Sequence, residues 1–145
     1  MKIFNVVSAS VLLAGAAAVS AQSLEIRNRL ATEEAELASK AALTDKTCGT
    51  QLKTTIDAGS FDPDEFLQKS SVSWCTAALD AMENVCTASA IGKEAIAKSV
   101  KSLTCSGAAA VSVELSNGNL KYAFPFSSAS NQNMQAIKIY LEKHL

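Results

Sequence analysis

The chain has 145 residues, with 13 basic and 14 acidic side chains, four cysteines and one histidine. A net charge of −1 gives no basic surface of the kind that nucleic acid requires, and the length fits one domain. The histidine, His144, lies almost at the end of the sequence, so Ser-His-Asp and Cys-His catalysis lack an internal base.

The first segment, residues 1–21, has the composition of a signal peptide. Lys2 provides a positive start, residues 3–19 are apolar, and the small residues Val19-Ser20-Ala21 predict cleavage before Gln22. The alternative is an uncleaved membrane anchor, which the polar residues within the run and the cleavage pattern after it make the weaker hypothesis. We therefore predict an exported protein, periplasmic or secreted, with one mature domain over 22–145 and no stable membrane anchor.

A helix is predicted over 22–44, with first turns that need not dock on the domain. One face of it carries four apolar residues: Ile26, Leu30, Leu37 and Ala41. Glu33 and Glu34 interrupt this face, and together with Glu36 they form an acidic cluster. Acidic clusters of this kind are typical of a solvated helix face, which is our prediction here.

Residues 47–59 predict a short helix with Cys48, Leu52 and Ile56 directed inward and Gly59 as its stop.

The following sequence, FDPDEF at 61–66, holds three carboxylates but lacks the ligand spacing of a calcium loop. It fits a helix start instead, with Asp62 as N-cap and Pro63 as first helical residue. Phe61 and Phe66 occupy the hydrophobic-staple positions of that helix.

Two further helices are predicted over 73–87 and 92–103, and the short link between them favours an antiparallel helical hairpin. Together with the helix at 47–59 they make 47–105 a region of disulfide-linked helices. Cys75 and Cys86 lie about 16 Å apart along one helix, which is too far for a disulfide between them.

Four cysteines in an exported chain predict two disulfides. The chain has no C-x-x-C pair, so we assign no metal-binding or redox site, and no catalytic or cofactor-binding residue either. In a helical hairpin the start of one helix lies beside the end of the other, which favours Cys75–Cys105 with Cys48–Cys86. A steep crossing of the helices would instead allow Cys86–Cys105 with Cys48–Cys75.

A β-hairpin is predicted over 108–126, because apolar and polar residues alternate around Asn117-Gly118, a strong type I′ turn sequence. A two-residue turn fixes the register of the strands. It sets three apolar pairs on one face and one charged pair, Glu114–Lys121, on the other; the apolar pairs are Leu115–Leu120, Val113–Tyr122 and Val111–Phe124. Pro125 predicts that pairing stops there or lies at a sheet edge.

A C-terminal helix is predicted over 130–144, with Ser130 as its cap and an apolar stripe that covers the hairpin. Four aromatic residues are assigned to the core: Trp74, Tyr122, Phe124 and Phe126. The fold class is thus α+β, in which a small disulfide-stapled helical domain is followed by a β-hairpin and a C-terminal helix.

For function, these features favour a non-catalytic binding module, such as an inhibitor, an immunity-type factor or a surface component. Its predicted contact is a protein partner at an exposed edge of the hairpin. One alternative is a carrier that holds a small hydrophobic ligand in a cavity lined by Trp74 and the hairpin aromatics. Another is a small hydrolase that uses two carboxylates facing each other across a cleft.

Overall fold

The structure, a computed structural model, describes residues 13–145, with side chains from Ser23 onward. The signal peptide predicted over 1–21 and its cleavage lie outside the residues whose side chains are described. In the described range, no helix has both the length and the apolar composition needed to cross a bilayer.

The helices and strands follow one another in the order α1–β1–α2–α3–α4–β2–β3–β4–α5, with one 3-10 turn at Ala58–Ser60 after β1. The helices are α1 (Leu13–Cys48), α2 (Pro63–Gln68), α3 (Val72–Ala88), α4 (Ala90–Ser99) and α5 (Ser130–His144). The strands are β1 (Lys53–Asp57), β2 (Ser102–Gly107), β3 (Ser112–Ser116) and β4 (Asn119–Phe124). The α+β class with a C-terminal helix is confirmed.

The four strands form one mixed sheet in the order β1–β2–β4–β3. Strands β1, β2 and β4 run parallel, and β3 is antiparallel to β4. One face of the sheet is apolar and packs against the helices; its buried residues are Ile56, Leu103, Cys105, Leu120, Tyr122 and Phe124. The opposite face is rich in serine and threonine. The fold is therefore a two-layer sandwich, with helices on one face of the sheet.

The prediction of a helix over 47–59 was wrong, because residues 53–57 form strand β1. Leu52 and Ile56 do point inward, but they also fit a period of two, and Thr54, Thr55 and Ile56 are β-branched. The segment forms a strand rather than a helix because β2 is available to pair with it in parallel.

The helix predicted over 92–103 was also wrong at its end. Helix α4 stops at Ser99, and Ser102–Gly107 form β2, so the region 47–105 is not wholly helical. The residues Leu103 and Cys105 are both fully buried, which is the alternation of a strand with one face inward. Cys105 therefore lies in the middle of the sheet rather than beyond a helix.

The predicted hairpin is confirmed by β3 and β4. Leu115 pairs with Leu120 and Glu114 with Lys121, in the register that the two-residue turn requires. The turn residues Asn117 and Gly118 have φ values of 52° and 79°, as a type I′ turn demands. The ladder begins at Ser112, so the predicted pair Val111–Phe124 does not form.

Replacing Gly118 with valine should therefore destabilise the protein, because a β-branched residue is strained at positive φ. We expect a loss of about 1–2 kcal/mol in the free energy of unfolding, measured by urea denaturation. Gly59→Val is the matched control, because Gly59 is exposed and an added Cβ there meets no atom closer than 3.6 Å. Equal urea midpoints for the two variants would contradict the assigned turn.

The start of α2 is as predicted, whereas that of α5 is not. The Asp62 carboxylate accepts hydrogen bonds from the backbone N–H groups of Asp64 and Glu65, both at 3.0 Å. Ser130 does not cap α5: it is the first helical residue, and its hydroxyl donates to the Ser73 carbonyl at 3.3 Å. That contact ties the start of α5 to α3.

Candidate functional site

Two disulfides join the elements of the helical layer and fasten that layer to the sheet. Cys48–Cys86 links the ends of α1 and α3, with 5.3 Å between the Cα atoms. Cys75–Cys105 links α3 to the central strand β2, with 5.9 Å between the Cα atoms. These are the pairs that the sequence favoured, although Cys105 reaches Cys75 from a strand. Two disulfides indicate an oxidising, extracellular compartment.

Glu33 is buried, with 2% of its surface exposed, so the prediction of a solvated acidic cluster was wrong for this residue. Its carboxylate accepts hydrogen bonds from the backbone N–H of Ser71, at 2.9 Å, and from the Ser71 hydroxyl. Its other oxygen lies 2.8 Å from the Arg29 Nε. Because Ser71 precedes α3, Glu33 caps that helix from a neighbouring element and docks α1 on the domain.

The four predicted core aromatics belong to a closely packed cluster. The Trp74 ring centroid lies 5.1 Å from that of Phe126 and 6.2 Å from that of Phe124, and the Trp74 Nε1 donates to the Ser128 carbonyl at 3.0 Å. Burial raises the pKa of the Tyr122 phenol to about 12, although a hydrogen bond from Asn133 opposes that shift. The four rings therefore pack against one another, as the core prediction requires.

A pocket of about 390 Å³ lies at the carboxyl ends of the three parallel strands, where α/β sheets commonly bind ligands. Phe124 and Phe126 line it together with Asp62 and Glu65. Both carboxylates already have structural partners, because Asp62 caps α2 and Glu65 lies 2.7 Å from the Lys69 ammonium. Each of the two carboxylates in this pocket is therefore already bound to a partner within the fold.

A second groove, of about 410 Å³, runs between α1 and α3 beside two acids, Asp80 and Glu83. Burial and the Glu83 carboxylate raise the pKa of Asp80, while Lys40 opposes the shift. Glu83 accepts a hydrogen bond from the Thr44 hydroxyl at 2.7 Å. The two acids lie one turn apart on the same helix, not across the cleft that the hydrolase hypothesis requires.

A metal site is likewise not apparent in residues 13–145, where no group of three or more His, Cys, Asp and Glu side chains is placed to hold an ion.

The outer edge of β3 remains as the candidate interaction surface. In a hairpin with a two-residue turn, Ser116 and Asn119 exchange hydrogen bonds, so Val113 and Leu115 direct their backbone groups away from β4. The Leu115 N–H donates to the Tyr140 hydroxyl of α5 at 2.9 Å. In the described part of the chain, the N–H and C=O of Val113 have no hydrogen-bond partner.

The opposite edge of the sheet, at β1, is contacted by the long helix α1. There the Ile56 N–H donates to the Glu34 carboxylate of α1 at 3.3 Å. The predicted exposed hairpin edge is thus narrowed to β3, because β4 is an interior strand between β2 and β3. The sequence did not show which hairpin strand lies at the edge, because the region that contains β1 and β2 was interpreted as helical.

Comparisons with known proteins identify no relative of this chain. No family model, no curated protein and no solved structure matches it.

Proposed function

We propose that this protein is an exported, disulfide-stabilised binding module that takes up an extended segment of a partner protein along the outer edge of β3. Strand addition uses backbone hydrogen bonds for affinity and neighbouring side chains for selectivity. The observation that carries the proposal is the unpaired backbone of Val113, midway along the edge strand β3.

Three features of the described residues support this function over the alternatives. The four core rings pack against one another, Asp80 and Glu83 lie on one helix rather than facing each other, and α1 contacts the β1 edge through Glu34. The two disulfides suit a small fold that works in an oxidising compartment after signal cleavage before Gln22. To test the compartment, cell fractions can be compared; we expect to recover the mature chain only from the extracytoplasmic fraction.

Val113→Pro tests the edge directly, because proline removes the outward N–H and leaves the hydrogen bonds between β3 and β4 in place. We expect this variant to lose at least tenfold in affinity for a partner captured by cross-linking from the extracytoplasmic fraction. Val113→Thr is the control, since it keeps both the N–H and a β-branched side chain, and it should bind as the native chain does.

The variants also need a measure of folding, which their melting midpoints without reductant provide. A partner that binds Val113→Pro and the native chain equally would contradict strand addition at β3. Loss of binding with both variants, at unchanged melting midpoints, would instead indicate that the partner recognises the side chain of Val113 rather than its backbone.

A further inference from the structure

We propose that the β3 edge selects a partner segment with a basic residue at its centre and rejects a second copy of this chain. The inference rests on the proposed function, since it names the chemistry of the strand that the edge accepts. Its basis is Glu114, which lies between Val113 and Leu115 and belongs to the exposed, polar face of the sheet.

Glu114 places a carboxylate at the middle of the edge strand. Lys121 is its cross-strand neighbour on β4, but the two side chains form no ion pair in the described structure. Directly opposed side chains on neighbouring strands approach to about 5 Å between Cβ atoms. A strand added outside β3 would therefore place one residue against Glu114, and a lysine or arginine there gains an attractive contact.

The same geometry disfavours pairing of two copies through this edge. If β3 pairs antiparallel with itself over its full length, Ser112 faces Ser116 and Glu114 faces the other Glu114. Like charges directly opposite each other destabilise a strand pair. A shift of two residues relieves the repulsion but shortens the ladder, so the edge is protected against self-association while remaining open to a basic strand.

The neighbouring positions define the rest of the partner segment. Val113 and Leu115 face the helical layer and are only partly buried, and Val111, just before β3, is 36% exposed. Apolar residues on either side of the central basic residue would extend this half-covered apolar surface. The pattern expected in the partner is therefore apolar–basic–apolar, the pattern that Leu120, Lys121 and Tyr122 provide on the inner edge.

A synthetic peptide that copies Asn119–Phe124 is the probe, because this is the strand with which β3 already pairs. A second peptide carries glutamate in place of the lysine. With ¹⁵N-labelled protein, we expect the Val113 and Leu115 amides to shift on titration. The lysine peptide should bind roughly threefold to tenfold more tightly than the glutamate peptide. Glu114→Lys should reverse that preference, and the native chain should sediment as a monomer.

The outcomes separate the two proposals. If neither peptide moves the Val113 and Leu115 amides at millimolar concentration, the edge does not accept a strand, and both proposals are overturned. If both peptides bind equally and Glu114→Lys changes nothing, strand addition stands and charge selection fails. A native dimer that shifts the same amides would show that a second copy is the occupant.

Discussion

Glu33→Ala is expected to lower the free energy of unfolding by about 3 kcal/mol. The carboxylate is buried and accepts both the backbone N–H and the hydroxyl of Ser71, which is itself fully buried. Alanine would leave those two donors without a partner and remove the ion pair with Arg29. Urea denaturation under non-reducing conditions, followed by far-ultraviolet circular dichroism, measures the change.

Glu36→Ala is the matched control on the same helix. Glu36 is 54% exposed at its side chain, and its oxygen lies 3.9 Å from the Lys40 ammonium, so its removal should cost no more than about 0.5 kcal/mol. Glu33→Gln, which keeps the shape but loses the charge, should fall between the two. Equal urea midpoints for Glu33→Ala and Glu36→Ala would show that the acidic cluster is solvated after all.

Glu33 also shows where sequence reasoning reaches its limit. A glutamate within an apolar helix face is compatible with exposure or with a buried partner, and the partner here is 38 residues away in the sequence. No local sequence pattern identifies Ser71 as the residue that donates hydrogen bonds to the Glu33 carboxylate. By contrast, the cap at Asp62 and the type I′ turn at Gly118 depend on neighbouring residues alone, and both are found as predicted.

The strands β1 and β2 were missed for a related physical reason. Each is short and pairs only in parallel with strands distant in sequence. At β1 the spacing of Leu52 and Ile56 suits either a helix or a strand, and in β2 Leu103 continues the helical spacing of Ile96 and Val100. Parallel pairing leaves no turn sequence between the partners, whereas Asn117-Gly118 marks the antiparallel hairpin. The candidate edge could not be identified for the same reason. The hairpin was predicted with its register, but β3 is its edge strand only because β2 pairs with β4.

Removal of either disulfide should cost about 4 kcal/mol, and we expect the loss of Cys75–Cys105 to be the more severe. The two bonds span 30 and 38 residues, so loop entropy in the unfolded chain differs between them by only about 0.2 kcal/mol. Any larger difference must come from the folded state. Cys75–Cys105 joins α3 to the middle of the sheet, whereas Cys48–Cys86 joins two helix ends, where neighbouring groups relax more easily.

The double variants Cys75→Ala/Cys105→Ala and Cys48→Ala/Cys86→Ala each replace two cysteines with alanine. Urea denaturation without reductant then compares their free energies of unfolding. A cavity between two packed layers relaxes poorly, so the first pair should lose about 1 kcal/mol more than the second. Equal losses would mean that loop entropy alone accounts for both bonds. A greater loss for Cys48–Cys86 would mean that docking of α1, rather than the contact between helix layer and sheet, limits the stability of the domain. In that case the Glu33 contact, which also docks α1, would share the limiting role.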